Sequence, residues 1–310
     1  MNSGTKPQFR TTDVPVAGGT LRVAIWGDGG PIVLCSHGLT ANHTEFQALV
    51  DQLGTGFQVI APDHRGRGHS AGITGPWGMA AHADDLVAVL DHLRIPRVEV
   101  LLGHSMGGFV AAVMAARNPD RVATLMMVDG GIPLANFSFL RYLPFSGWLT
   151  ERLVRKILGP SLARLDMTFE SPAAYTEFWK KHPAFAGAAW SPYVDQYIAY
   201  DLIGSAPALR SSTRKDALWQ DVRTQLVENL VPDSLNRLRC PVRFLRAAHG
   251  ILNATPLYDE SKLAAGARRI ENFSSRTLDD VNHFTILISA EGARKVADEV
   301  RGLVDGRGAS

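Results

Sequence analysis

Val98-Glu99-Val100-Leu101-Leu102-Gly103-His104-Ser105-Met106-Gly107-Gly108 begins as an apolar run and ends in small residues. Segment 98–102 has the nearly continuous apolar pattern of a strand covered on both faces. Segment 106–117 has helical spacing and is closed by Asn118-Pro119. Ser105 therefore stands at a tight strand-to-helix turn. Only small neighbours permit such a turn, which accounts for Gly103 and Gly107. The turn pushes the serine hydroxyl out of the sheet. It also leaves the Met106 amide, at a helix N-terminus, free to stabilise charge on a bound oxygen. A Gly-x-Ser-x-Gly pentapeptide by itself is a common chance match. Placed between a buried strand and a helix, it marks Ser105 as a candidate nucleophile.

The same alternation extends in both directions. Segments 21–26 and 31–35 are strand candidates joined by Gly27-Asp28-Gly29-Gly30, and 58–61 is a short strand ending at Pro62-Asp63. Segments 44–53 and 80–93 are amphipathic helices, and 123–128 is another apolar strand. From 132 to 239 there are helix-like segments and no convincing strand. One of them, 145–158, is apolar along one face. Ser171-Pro172 and Ser191-Pro192 each read as an N-cap followed by proline at the first helical position. Alternation returns with a strand at 241–246, a strand around 276–278, and helices at 257–263 and 292–303. Residues 1–12 and 305–310 are polar or glycine-rich and are expected to fray. The pattern gives an α/β core from 1–131 and 240–310, interrupted by a helical cap at 132–239. Such cores hold a mostly parallel sheet between helices, with ligands at the carboxyl ends of the strands.

Composition narrows the function classes. The chain has 310 residues, 45% of them hydrophobic, with 32 Lys+Arg against 30 Asp+Glu and a net charge of +2. That is a globular composition with no broad electrostatic footprint for nucleic acid or an anionic membrane. No apolar run is long enough to span a bilayer, and Met1–Thr12 lacks the apolar centre of a signal peptide. A soluble, cytoplasmic protein is expected. The two cysteines, Cys35 and Cys240, flank strand-like segments and read as buried free thiols. The sequence contains no phosphate-binding Gly-x-x-x-x-Gly-Lys-Ser/Thr loop, no dinucleotide fingerprint after the first strand and no His-Glu-x-x-His, so no cofactor or metal requirement is expected.

Ser36-His37-Gly38-Leu39-Thr40 follows the strand at 31–35. A loop there can supply a second oxyanion donor, the amide of Leu39, facing that of Met106. His37 reads as the side chain that holds this loop. Taken with Pro62-Asp63-His64-Arg65-Gly66-Arg67-Gly68-His69-Ser70, the Gly103–Gly108 stretch and Asn282-His283-Phe284, the order of motifs resembles the α/β-hydrolase fold family, of the kind with a helical cap. The resemblance covers about 13–131 and 240–304. It implies an eight-stranded, mostly parallel sheet, a serine nucleophile, and a triad in the order Ser, acid, His. His283, in a loop between a strand and the final helix, matches the family's general base. The basic-looking 63–68 turn reads as structural.

The acid departs from the commoner pattern. In most of the family it follows the strand at 242–246, but Ala247–Asn253 contains no carboxylate. Some haloalkane dehalogenases and zearalenone-type lactonases carry it one strand earlier. Here that position is Asp129, at the end of strand 123–128. Asp259 and Glu260 are the alternatives.

The cap is rich in aromatics, including Phe137, Phe139, Tyr142, Phe145, Trp148, Trp179, Trp190 and Tyr193. Some are expected to face the cleft over Ser105, with Trp148, Trp179, Trp190 and Tyr193 as substrate-binding candidates. The same stripe would equally serve a homo-oligomer formed through the cap. The resemblance implies hydrolysis of a carboxylic ester or lactone, and the aromatic-rich cap points to a hydrophobic, aromatic-compatible small molecule. Carbon–carbon or amide hydrolysis, cofactor-free peroxidase chemistry and a non-catalytic ligand-binding homologue use the same elbow and remain alternatives. Serine at the elbow argues against haloalkane dehalogenase or epoxide hydrolase chemistry, which uses aspartate there.

Overall fold

The computed structural model describes residues 6–134, 148, 152 and 162–306. Its main sheet contains β1 (Phe9–Val16), β2 (Gly19–Trp26), β3 (Ile32–Ser36), β4 (Gln58–Pro62), β5 (Val98–His104), β6 (Val122–Val128), β7 (Val242–His249) and β8 (Phe273–Asn282). They lie side by side in the order β1-β2-β4-β3-β5-β6-β7-β8. β2 pairs antiparallel with β1 and with β4, and the other pairings are parallel. β2 and β3 are joined in sequence but not paired, because β4 crosses over to lie between them.

Both faces of the sheet are covered, so its central strands read as continuous apolar runs. Alternation assigns the residues to two layers. Leu34, Leu101, Leu125, Met127 and Phe244 pack with α2 (Met79–His92) and α3 (Met106–Arg117). Cys35, Leu102, Met126, Val128 and Leu245 pack on the other face with α1 (Gln47–Leu53) and a C-terminal helix, Ala290–Val304. Cys35 and Cys240 are buried free thiols.

The expectation of a frayed N-terminus holds poorly from residue 9. β1 pairs with β2 along its whole length, from Phe9 opposite Trp26 to Val16 opposite Gly19. It escapes a hydrophobic reading because it is an edge strand with only Val14 fully buried.

Between β6 and β7 come α4 (Pro172–Lys180), α5 (Pro192–Asp201), α6 (Lys215–Val227) and α7 (Leu230–Leu235). A small antiparallel pairing, Leu202–Ile203 with Arg210–Ser211, adds sheet where only helix was expected. Ser171 caps α4 through its hydroxyl, which accepts from the Ala174 amide at 3.2 Å. Ser191 instead donates to the Ile288 carbonyl at 3.2 Å and so ties α5 to the core. Val231, Leu235 and Leu238, although inside the span read as cap, pack in the core layer with α3. Apart from residues 148 and 152, the helix expected at 145–158, with Phe137, Phe139, Tyr142 and Phe145, lies outside the described residues. After β7 come α8 (Glu260–Arg269), α9 (Thr285–Ile288) and α10 (Ala290–Val304). No helix among the described residues is long and apolar enough to cross a membrane.

Candidate active site

Ser105 sits between β5 and α3 with φ +51°, in the left-handed region. The close approach that makes this turn leaves no room for side chains at its neighbours. A Cβ on Gly103 would stand 2.3 Å from the Gly107 carbonyl oxygen, and one on Gly107 would stand 1.9 Å from that of Ser36. The Ser105 amide donates to the Val128 carbonyl at 3.0 Å, pinning the turn to the end of β6.

β6 ends at Asp129, and β8 ends just before His283. The structure brings both to Ser105. His283 Nε2 lies 3.1 Å from Ser105 Oγ, and His283 Nδ1 lies 2.7 Å from Asp129 Oδ2. The other carboxylate oxygen of Asp129 accepts from the Ala247 amide at 3.2 Å. The β7 loop that lacks a carboxylate thus contributes a backbone donor to the acid from the neighbouring strand. The His283 loop is held by Asn282, whose Oδ1 accepts from the amides of Phe284 and Thr285 at 3.0 and 2.9 Å. Asp259 is placed elsewhere: it N-caps α8 and bonds Lys262 and Ser261 at the surface. Glu260 faces Arg246 at 2.7 Å.

The loop carrying Leu39 is fixed from behind. His37 Nδ1 donates to the Gly38 carbonyl at 2.8 Å, and His37 Nε2 accepts the His64 amide at 2.8 Å. This pattern needs a neutral ring, in keeping with the burial that drives the His37 pKa down to about 4. Because carbonyl and amide of one trans peptide point opposite ways, holding Gly38 C=O also fixes the direction of the Leu39 N–H. The Met106 amide belongs to the first turn of α3, where helical amides have no acceptor within the helix.

Two residues near the site were not expected from sequence to act together. His104 Nδ1 lies 3.0 Å from Glu45 Oε1, and His104 Nε2 lies 2.8 Å from the His283 carbonyl. Glu45 Oε2 also accepts from the Gly38 amide at 3.2 Å. Both ring nitrogens of His104 face acceptors, which favours the imidazolium. Burial opposes that charge, but Glu45 outweighs it, so His104 is raised above the ordinary histidine value. Burial likewise opposes the Glu45 carboxylate, and His104 overcomes it, leaving Glu45 below the usual carboxyl range. A raised histidine adds stability below its unfolded value and loses it as pH rises through the folded value. A lowered glutamate adds stability above its unfolded value and loses it as pH falls. The pair should therefore contribute fully between roughly pH 4.3 and 6.5. Glu45→Gln should lower the melting temperature most inside that window. Melting curves of parent and variant should converge as pH is raised from there, and a pH-independent gap would rule the ion pair out.

Above Ser105 is a cavity of about 400 Å³. Leu39, Met106, Ser105, Asp129 and His283 line it, together with Glu45 and His104. One wall is aliphatic, with Leu218, Val222 and Leu226 from α6 beside Leu162 and Leu134, and the rings of Phe109, Tyr197, Tyr258 and Phe284 also line the cavity. Among the described residues no Lys or Arg lines it.

The four aromatic candidates are not in this lining. Trp148 is 57% exposed with Arg152 over its ring. Trp179 is buried among Tyr175, Phe185 and Tyr197. Trp190 packs on Phe185 and donates to Asp195 at 3.1 Å. Tyr193 donates to Asp51 at 3.0 Å, and burial together with that carboxylate pushes its pKa up to about 12. α4 and α5 spend most of their aromatics on a cluster that also takes in Ala41 and Ile288, with Tyr197 of α5 reaching the cavity, and the aliphatic wall comes from α6. Its signal was present in the sequence as Leu218, Val222 and Leu226, spaced i, i+4, i+8.

Comparison with known proteins agrees with this fold. Residues 31–205 match the family model described as the alpha/beta hydrolase fold. Lipase LipV of Mycobacterium tuberculosis is 37% identical over 115 residues, which are 37% of this chain and 43% of that lipase. The chain thus spans less than half the length of that curated relative. Among solved structures, E-2-(acetamidomethylene)succinate hydrolase superposes with a TM-score of 0.76 at 22% identity, covering 96% of this chain and 100% of that one. Carboxylesterase CesB of Bacillus subtilis gives a TM-score of 0.68 at 15% identity, covering 96% and 92%. These two likenesses are of fold. With more than half of its length matched by the family model and its eight-stranded sheet in place, the chain belongs to the alpha/beta hydrolase fold family.

Proposed function

We propose that the protein is a serine hydrolase that cleaves an uncharged carboxylic ester or lactone with an apolar acyl group, through an acyl-enzyme. The observation that carries this reading is the Ser105–His283–Asp129 chain, with contacts of 3.1 and 2.7 Å, in a predominantly apolar cavity. His283 Nε2 takes the proton of Ser105 as Oγ attacks the carbonyl carbon. The amides of Leu39 and Met106 hold the resulting oxyanion, and Asp129 keeps the proton on Nδ1 and stabilises the imidazolium. His283 then returns the proton to the leaving alkoxide, and the acyl group remains on Oγ. Water attacks the acyl-enzyme with the same base, releasing the acid and restoring the serine.

The charge of the site supports a neutral substrate. Glu45 and Asp129 both face the cavity; the His104 imidazolium is already paired with Glu45 at 3.0 Å, and no Lys or Arg among the described lining offsets a substrate carboxylate. A panel of p-nitrophenyl esters tests this. A neutral medium-chain ester should be cleaved at least about tenfold faster by kcat/KM than a chain of equal length ending in a carboxylate, as like charge in a low-dielectric site requires. Equal rates would remove the charge argument. Turnover of matched amides or carbamates in preference to esters would replace the ester reading.

A further inference from the structure

The turn Asp63–Ser70, between β4 and α2, has so far only a structural reading from sequence. In the structure it is the place where the segment over the site is seated. The Gly66 carbonyl accepts from the Arg214 amide at 2.9 Å, and the Gly68 amide donates to Ser212 Oγ at 3.0 Å. A Cβ on Gly66 would stand 2.6 Å from that of Ala217, so the turn and α6 meet at backbone distance. Tyr200, at the end of α5, donates to Asp63 at 2.8 Å.

At the centre of this seat is a fully buried ion pair. Arg67 Nη1 lies 2.6 Å from Asp221 Oδ2, with neither side chain exposed. His82 Nε2 stands 3.0 Å from the same oxygen, and Asp221 Oδ1 accepts from the Gly78 amide at 2.6 Å. Burial would raise the Asp221 carboxyl, but His82 and Arg67 hold it down at about 2. The guanidinium also reaches the other side of the site: Arg67 Nε donates to the Leu39 carbonyl at 3.0 Å. One side chain therefore touches both the loop that carries the Leu39 amide and the helix that carries Leu218, Val222 and Leu226. Asp221 precedes Val222 directly and follows Leu218 by less than one turn, so fixing it fixes the wall.

We propose that Arg67 and Asp221 are positioning residues for substrate selection: they set the distance between the oxyanion loop and the aliphatic wall, and with it the chain length the cavity accepts. The proposal rests on Ser105 being the nucleophile. Asp221 itself does not line the cavity and acts through Leu218 and Val222. A buried pair is a costly way to gain stability, since apolar replacements of similar volume are often as stable. Its value here is geometric, because the planar fork of arginine fixes two partners at once.

The test compares two fluorophosphonates, one with a short and one with a long alkyl chain. In each, Ser105 Oγ displaces fluoride while His283 takes the proton, so the rate reads access to the nucleophile without requiring ester turnover. Asp221→Asn should keep the short-chain rate within about threefold of the parent, as for a residue outside the reacting groups. The ratio of long- to short-chain rates should fall about tenfold, the loss expected when roughly two methylenes are no longer held against the wall. The double variant Arg67→Met with Asp221→Leu leaves no unpaired buried charge and serves where the single variant fails to fold. It should show the same fall in ratio. A folded variant of either kind with an unchanged ratio overturns the proposal, because a merely stabilising pair would shift melting temperature and not selection. Labelling of the parent without turnover of any ester overturns the ester reading alone. A parent that neither probe labels overturns both.

Discussion

Ser105→Ala should lower turnover of an apolar ester by roughly 10⁴- to 10⁶-fold, the scale seen when the nucleophile of an acyl-transfer site is removed. Without Oγ no acyl-enzyme forms. What remains is attack by water, aided only by the amides that hold the oxyanion and by substrate binding. The fold should survive. The hydroxyl's hydrogen bond among the described residues is to His283 Nε2 at 3.1 Å, and alanine carries the same Cβ through φ +51°. The variant should therefore give an unchanged circular dichroism spectrum while losing labelling by fluorophosphonates. Normal labelling of a folded Ser105→Ala protein would place the nucleophile elsewhere.

Asp129→Asn should cost about 10²- to 10⁴-fold in kcat with little change in folding, by analogy with the loss of the aspartate from a serine protease triad. The reason is in the acceptors. Asp129 receives two donors, the Ala247 amide on Oδ1 and His283 Nδ1 on Oδ2. An asparagine has one acceptor oxygen for those two donors. With that oxygen kept on Ala247, its NH₂ faces Nδ1 and forces the ring proton onto Nε2. A ring protonated at Nε2 cannot take the proton of Ser105. Asp259→Asn and Glu260→Gln should stay within about tenfold of the parent, since removing groups outside the reacting constellation leaves the transition-state contacts in place. Steady-state rates of the three variants, with folding checked by circular dichroism, decide between the two strands. A crippled Asp259→Asn or Glu260→Gln beside a nearly normal Asp129→Asn would move the acid to the later strand.

What sequence made legible was the part with a local signature. The strand, glycine, serine, glycine and helix of 98–117 form one continuous stretch, so the turn could be read from its own residues. Asp129 and His283 were placed by the family resemblance, each just past a strand end, where the carboxyl ends of parallel strands share one sheet edge. The pairs that shape the rest of the site have no such signature. Glu45 and His104 are 59 residues apart, and Arg67 meets Asp221 from another element across the fold. A buried arginine in a glycine-rich turn resembles a phosphate contact or a surface charge until its partner is located. The aromatic-rich insert misled in a different way. Aromatic rings at helical spacing mark an apolar face without saying what it packs against: Trp179 went into a cluster shared with Ala41 and Ile288, while Tyr197 reached the cavity. The plainer Leu218, Val222 and Leu226 supplied the wall. β1 was hidden because an edge strand need bury only one of its residues deeply.

The most direct measurement is active-site carbamoylation with a p-nitrophenyl dialkylcarbamate, whose carbamoyl-enzyme is released slowly enough to isolate. Ser105 Oγ should attack the carbonyl, p-nitrophenolate should leave, and the carbamoyl group should stay on the serine. Expected is release of one equivalent of p-nitrophenol per chain, loss of esterase activity in step with it, and a carbamoyl mass on the peptide containing Ser105. Inactivation with the adduct on any other residue, or an enzyme that hydrolyses esters and acquires no adduct, would contradict acyl transfer through Ser105.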